Sequence, residues 1–360
     1  MNDRGDNTVL TRILDRGRRE RLPLHGSIEL TRRCALLCPH CYLGFARNDP
    51  PESELSGEGL FGLFDQFRAE GCLFLTFTGG EPLLREDFRE IYLGALRRGF
   101  LVNLFTSGTT LDRALADFLS RYPPLHVDIT IFGATEKIGD RITGKPGSFR
   151  RGRKAVALLA ERGIAFGLKT VVNALNRGEV EGMKQFARLY GKTLRFDSLI
   201  TPRLDGSRDN LRYRLDPREV IRLDREDEVK WREWRDYACR PGELADRGLL
   251  YGCGAGLHSF HVTSAGELRL CVLDTNYSFN LKKGSFREGW REFIPRIRAL
   301  RTGEDNRCAD CDLRPLCTSC PAWARLETGD AEKPVDFLCQ VAGFRGILRR
   351  EEEKKNLPEA

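Results

Sequence analysis

A chain of 360 residues, 41% apolar and 31% charged, can bury one barrel-sized domain and a smaller second one. It contains no run of about 18 apolar residues and no apolar signal core behind Met1, so neither a helical membrane span nor secretion is expected and the cytoplasm is the expected location. The formal charge of +7 is scattered over pairs such as Arg97-Arg98, Arg150-Arg151 and Arg349-Arg350, which read as solvated faces and speak against a nucleic-acid partner, while twelve clustered cysteines in a reducing compartment point to metal rather than disulfides.

Residues 8–20 read as a short basic helix within an N-terminal extension over 1–24. The stretch from Gly26 to Thr31 then reads as a strand that delivers Cys34, Cys38 and Cys41 in the loop behind it. Their C-x3-C-x2-C spacing supplies three thiolates, one short of the four protein ligands that close a structural zinc site or an ordinary 4Fe–4S centre. One metal position would stay open to an outside ligand. Spacing alone also admits a zinc site completed by His40, or a buried thiol cluster.

Short apolar runs then alternate with amphipathic helices. Strands are expected over 73–78, 100–106, 125–132, 164–173 and 193–199. Helices are expected where Leu60, Leu63, Phe64 and Phe67 share a face before Gly71, where Phe88, Ile91, Tyr92 and Ala95 do so before Gly99, and where Met183, Phe186, Ala187 and Tyr190 do so before Gly191. Further helical patterns cover 111–121 and 148–162. Six β-α units in a row build a parallel sheet with helices outside, too few for a closed eight-stranded barrel. The expected fold is therefore α/β, a partial (β/α)6 TIM-type barrel over residues 25–200 with room for a bulky substrate, followed by a small cysteine-rich C-terminal domain.

In such barrels the chemistry sits in loops at the carboxyl ends of the strands. Thr78-Gly79-Gly80-Glu81-Pro82 follows the second strand, joining two glycines that let the backbone approach a ligand to a carboxylate able to accept from an ammonium group. Thr106-Ser107-Gly108-Thr109 ends the third strand.

From residue 201 the texture changes. Residues 205–236 are dense in Arg, Asp and Glu, and Leu215 to Tyr237 reads as a charged helical connector within a linker over 201–250. A short β-rich segment, Phe260 to Thr263 and Leu268 to Val272, lies in a domain over 251–345. Its cysteines form a series: Cys253 and Gly266 are separated by twelve residues, Cys271 follows after four more, and then come Cys308, Cys311, Cys317, Cys320 and Cys339. A zinc ribbon is the alternative for this series, although its CxxC pairs are usually set further apart than the five residues between Cys311 and Cys317. The charged tail over 346–360 reads as a frayed or disordered helix.

Cys34, Cys38 and Cys41 followed by Tyr42, with Gly79-Gly80-Glu81-Pro82 downstream, resemble the radical S-adenosylmethionine (radical SAM) enzymes, which use the same six-unit fold. The C-terminal series resembles the SPASM domain, an iron–sulfur extension of those enzymes that carries auxiliary 4Fe–4S clusters. The resemblance implies that the amino and carboxylate groups of S-adenosylmethionine (SAM) chelate the open iron. Reductive cleavage of SAM would then give methionine and a 5′-deoxyadenosyl radical that abstracts a substrate hydrogen. It further implies cofactor contacts from Tyr42, from Gly79, Gly80 and Glu81 at the methionyl amine, from Ser107 where relatives often carry Asn, from Thr130 where they often place a Ser, and from Lys169 as a carboxylate partner. Asp140 to Gly144 and Gly147 to Phe149 match a further recurrent stretch of those enzymes.

Three 4Fe–4S clusters are implied: a SAM-binding one on Cys34, Cys38 and Cys41, an auxiliary one on Cys239, Cys253, Cys271 and Cys320, and another on Cys308, Cys311, Cys317 and Cys339. The spacing of Cys317 and Cys320 departs from the usual C-x3-C. Cys72, left over, reads as a core thiol.

Enzymes of this layout mostly modify peptides or proteins, so a maturase that cross-links or oxidises a ribosomally made peptide or protein is the leading expectation, a sulfatase-maturase-like activity being a variant of it. A small-molecule radical SAM dehydratase or epimerase fits the same motifs, and a non-enzymatic iron–sulfur electron carrier is the third reading. The 33 residues before Cys34 imply either a separate leader-recognition protein or direct substrate binding, and the chemistry implies an electron donor such as ferredoxin or flavodoxin. No motif marks a catalytic acid, base or hydrogen donor; Asp128 and Asp197 are candidates on strand position alone.

Overall fold

Parallel pairing of successive strands organises the computed structural model, which describes residues 9–44, 50, 53–238, 246 and 248–355. Strands β1 (His25–Thr31), β2 (Phe74–Gly79), β3 (Leu101–Thr106), β4 (His126–Thr130), β5 (Phe166–Val171) and β6 (Leu194–Asp197) lie side by side in chain order, every neighbouring pair parallel. Along β5 the side chains alternate: Phe166, Leu168 and Thr170 are buried, whereas Lys169 and Val171 are half-buried on the opposite face. The partial β/α barrel expected from the alternating pattern is thus the observed architecture.

Helices α1 (Val9–Glu20), α2 (Gly57–Ala69), α3 (Phe88–Arg97), α4 (Arg113–Arg121), α5 (Glu136–Thr143), α6 (Ser148–Glu161) and α7 (Val180–Arg188) accompany the strands. Their boundaries follow capping chemistry. Ser56 accepts the Gly59 N–H at the start of α2, Asp112 accepts from Leu115 at α4, and Thr135 accepts from Ile138 at α5, which closes on Gly144 in the left-handed region (φ 60°).

The sheet extends beyond the six expected strands. β7 (Ser259–Val262) pairs parallel to β1, from His25 opposite Ser259 to Ile28 opposite Val262, and β8 (Glu267–Arg269) and β9 (Phe279–Asn280) continue antiparallel to make nine. The chain forms two compact units, Met1–Asp197 with Gly254–Ile297, and Ser198–Cys253 with Arg298–Ala360. Residues 254–297, drawn from the sequence into the cysteine-rich domain, therefore belong with the barrel. Phe67 of α2 shows why: its ring lies 5.0 Å from that of Phe260 and 4.6 Å from that of Phe286, and the Trp290 indole donates to the Arg21 carbonyl at 2.7 Å.

In the second unit the charged connector resolves into helices Pro217–Arg225 and Glu228–Ala238, and one helix runs Asp336–Lys355. Residues 346–355 thus continue a helix instead of forming a separate tail. Buried Asp224 receives Lys230 at 2.6 Å and Arg345 at 3.2 Å, tying three helices together, while Trp323, Ala324, Val335 and Leu338 form a small core. Among the described residues no helix is long and apolar enough to cross a membrane.

Phe67→Ala would leave a cavity among Phe64, Phe260 and Phe286, and a loss of about 3–5 kcal/mol in the urea unfolding of the barrel is expected.

Candidate active site

The loop behind β1 carries Cys34, Cys38 and Cys41, all partly exposed, with the Cys41 N–H donating to the Cys38 carbonyl at 3.2 Å. The loop behind β2 lies directly on it. Gly80 N–H donates to Thr31 O at 2.8 Å and Glu81 N–H to Arg33 O at 2.9 Å. A Cβ on Gly79 (φ 140°) would stand 2.0 Å from the Thr31 oxygen, and one on Gly80 would stand 2.3 Å and 2.4 Å from the oxygens of Arg32 and Arg33. The glycines are required, but the chain they approach is the protein's own cysteine loop, where the sequence suggested a ligand.

Glu81 is buried beneath this crossing. Its carboxylate accepts from Thr106 Oγ1 at 2.6 Å, Ser107 N at 2.9 Å, Ser107 Oγ at 2.5 Å and Leu83 N at 3.3 Å. Burial raises its proton affinity, and these donors oppose the rise. Four donors match the roughly four lone-pair sites of a carboxylate, so the Glu81 side chain joins the exits of β2 and β3. Ser107 is placed on Glu81 and, 2.9 Å away, on Thr109 Oγ1.

The cysteine loop rests on a second support. Leu37 N–H donates to Thr143 O at 2.6 Å, and the His40 and Phe132 rings are 6.4 Å apart. Behind it a narrow cleft is lined by Ser107, Thr109, Thr130, Phe132, Ser148 and Arg153. The recurrent stretch has a local explanation: Asp140 accepts from Gly147 N at 2.6 Å, Ser148 Oγ at 2.9 Å and Phe149 N at 2.9 Å, fixing the turn into α6. Arg153, which no sequence motif marked, lies with its guanidinium 4.7 Å from the Phe149 ring and 4.0 Å from the Phe186 ring, and its buried Nε has no hydrogen-bond partner. A basic run gives no hint of such stacking.

Thr130 pairs in register with Lys169 across β4 and β5. The Lys169 ammonium lies 3.2 Å from the Phe105 ring centroid, and burial pushes it down to about 8 against the attraction of Asp128. Asp128 is buried and pairs with Arg195 and, at 3.5 Å, with His126. Asp197 is exposed at the end of β6. Tyr42 is half-buried, and its phenol is held protonated chiefly by desolvation, with the charges of Cys41 and Glu29 adding to it.

In the second unit Cys308, Cys311, Cys317 and Cys339 come close enough to act on one another. Burial pushes the Cys317 thiol up to about 11, with Cys339, Cys308 and Cys311 adding to it, and Cys339 is raised by burial and by Cys308 and Cys311. A cavity of about 280 Å³ in the same unit is lined by Cys253, Cys308, Cys317 and Cys320. Cys271 lies just past β8 in the first unit, and Cys239 falls outside the described residues. Cys72 is buried, its thiol pushed up to about 12 and set 3.5 Å from the Phe74 carbonyl. Among the described residues no three His, Cys, Asp or Glu side chains are grouped to hold a single metal ion. A 4Fe–4S cluster takes each thiolate on a separate iron and requires no such convergence, so the soft thiol donors of both cysteine sets suit it.

A model of the Radical SAM superfamily matches residues 28–187. Over 351 residues the chain is 34% identical to the PqqA peptide cyclase of Rhizobium meliloti, covering 93% of this chain and 92% of that protein. It is 26% identical over 323 residues to the AdoMet-dependent heme synthase of Methanosarcina barkeri, covering 84% and 92%. Its fold is similar to that of Streptococcus suis SuiB bound to S-adenosylmethionine, with a TM-score of 0.66 at 17% identity over 94% of this chain and 84% of that one.

Gly80→Ala is expected to force the two loops apart, leaving the anaerobically reconstituted variant about four irons short of wild type with its helix content unchanged. For Lys169 the folded value of about 8 lies below the usual 10.5, so between those limits the unfolded chain binds more protons and stability rises with pH. Below the window the cost of the buried charge is present in full. Lys169→Met should therefore gain on the order of 1–2 kcal/mol there, discounted for partial exposure, and lose the advantage as pH rises through the window, as denaturant midpoints would read.

Proposed function

The chain belongs to the radical SAM superfamily, and from that membership we propose that it modifies a ribosomally made peptide or protein by hydrogen abstraction, forming a cross-link or oxidising a side chain. The observation that carries the proposal is the 34% identity to a peptide cyclase, over an alignment that covers 93% of this chain. The enzyme uses SAM and a 4Fe–4S cluster, which together supply a 5′-deoxyadenosyl radical when an electron is delivered.

Its own residues hold and shield that chemistry. Cys34, Cys38 and Cys41 would ligate three irons and leave the fourth for SAM. The crossing at Gly79 and Gly80 holds the cysteine loop in one position, which would fix where a cluster on its thiolates sits. Tyr42, the backbone from Gly79 to Glu81, Ser107 and Thr130 would pack about the cofactor. Lys169, whose ammonium makes no direct ion pair among the described residues, would meet its carboxylate. Cys308, Cys311, Cys317 and Cys339 would hold one auxiliary cluster, supported by their mutual proximity, and a second would use the remaining cysteines of the C-terminal series. The electron donor would be a ferredoxin or flavodoxin, the leader sequence would be read by a separate protein or by this chain itself, and the setting would be the cytoplasm.

A second reading, action on a small molecule, is favoured by one observation: the heme synthase relative covers 84% of this chain at 26% identity.

Anaerobic reconstitution is expected to load about twelve irons per chain, falling to about eight when Cys34, Cys38 and Cys41 become Ala, with 5′-deoxyadenosine formation from SAM lost in that variant. Candidate precursor peptides should stimulate SAM cleavage and change mass. Stimulation by a heme precursor, with every peptide unchanged, would move the assignment to the second reading.

A further inference from the structure

One strongly basic stretch of the chain lies beside the cysteine loop. From Glu136 to Lys154, seven Lys and Arg stand against two Asp and Glu, a net of +5 where the whole chain carries +7. Both acids are occupied: Asp140 by the turn into α6, and Glu136 by Arg150 at 3.1 Å. Arg141, Lys145, Arg151 and Lys154 are exposed. Of the pairs that read from the sequence as scattered solvated charge, Arg150-Arg151 is therefore part of a local basic face.

That face adjoins the cysteine loop. Leu37, between Cys34 and Cys38, bonds through its N–H to Thr143 O at 2.6 Å, and a Cβ on Gly144 would lie 2.9 Å from its Cβ. Leu37 is itself 50% exposed, a large apolar side chain beside basic neighbours. An apolar centre with a charged rim is the anatomy of a transient protein interface, and long-range attraction across such a rim sets how fast a partner arrives.

We propose that this face, formed by Leu37 and the basic residues of α5, α6 and the turn between them, docks a small acidic electron-carrier protein. The inference rests on the proposed function, since it takes Cys34, Cys38 and Cys41 as the destination of the electron. One electron leaves the reduced carrier and enters the cluster; no bond is made or broken at the surface. Position favours this partner over an acidic substrate peptide: electron transfer falls steeply with distance, and the segment that carries Leu37 is the cysteine loop itself.

The test uses the reconstituted holoenzyme, its variant Lys145→Glu/Arg151→Glu/Lys154→Glu and an acidic flavodoxin. Calorimetric titration should show flavodoxin bound about tenfold more weakly by the variant at low ionic strength, with a steep salt dependence in wild type that the variant lacks. Formation of 5′-deoxyadenosine should slow by a similar factor with reduced flavodoxin, yet proceed unchanged with dithionite, which needs no docking site. If charge reversal perturbs folding, Lys145→Gln/Arg151→Gln/Lys154→Gln should show a smaller shift in the same direction. Unchanged flavodoxin affinity in both variants overturns the proposal, and so does an equal loss with dithionite together with weaker peptide binding, which would assign the face to the substrate. Absence of 5′-deoxyadenosine from wild type with dithionite would instead refute the chemistry, and the docking proposal with it.

Discussion

The carbonyl oxygens of Thr31, Arg32 and Arg33 lie so close to the Gly79-Gly80 turn that no side chain fits between them, and the geometry of the site depends on that approach. Parallel strands normally splay once their ladder ends. Here the register shifts between Glu29 and Thr31, and two further hydrogen bonds, from Gly80 and Glu81, hold the exits of β1 and β2 together past the sheet. Side chains secure the same place: Arg33 and Thr31 both donate to Glu54, and Arg85 donates to the carbonyls of Leu30 and Leu55 at 3.0 Å while gripping Asp87. The loop that carries Cys34, Cys38 and Cys41 is thus fastened to the rigid sheet at its entry, which is what positional accuracy in a binding site requires.

Glu81 extends the same principle from two strands to three. A buried carboxylate is costly unless donors surround it, and its donors come from the ends of β2 and β3. The charge therefore acts as a knot: removing it would strand Thr106 and the Ser107 backbone N–H in a buried place. This also gives Ser107 a reason of its own. The short hydroxyl reaches Glu81 and Thr109 together, so its role in the loop is fixed before any ligand arrives.

The repeat architecture was legible because each strand is a short apolar run and each helix buries a face at the α-helical period, signals that are local in sequence. Leu60, Leu63, Phe64 and Phe67 illustrate this, and all four are buried. β7 was not legible as part of the sheet, because Ser259 to Val262 is four residues long and the chain leaves after Asp197 and returns only at Gly254; its partner is set by the packing of Phe260 and Phe286 on Phe67. The cysteine spacing and Glu81 could be picked out from chemistry, and Lys169 from the resemblance. Their partners could not, since whether Gly79 faces a ligand or the Thr31 carbonyl, or whether Arg153 is solvated or stacked between two rings, is decided by residues distant in sequence.

The charges on β4, β5 and β6 follow the strand register. Lys169 stands level with Thr130 on one side and Arg195 on the other, while Asp128, two residues before Thr130 on β4, stands opposite Gly167. A side chain at 167 would crowd His126 Nε2 at 2.8 Å and Asp128 Oδ1 at 3.1 Å, so the glycine makes room for that pair. Two cations, Lys169 and Arg195, thus stand in register beside a single carboxylate. Asp128 already serves Arg195, and among the described residues Lys169 has a ring face but no ion-paired carboxylate. Desolvation disfavours such a cation until an anion joins it, and a ligand carboxylate arriving there would supply that anion. The electrostatic cost that burial lays on Lys169 is thus the term that an arriving carboxylate would relieve, which is the physical ground for proposing Lys169 at the carboxylate end of the cofactor.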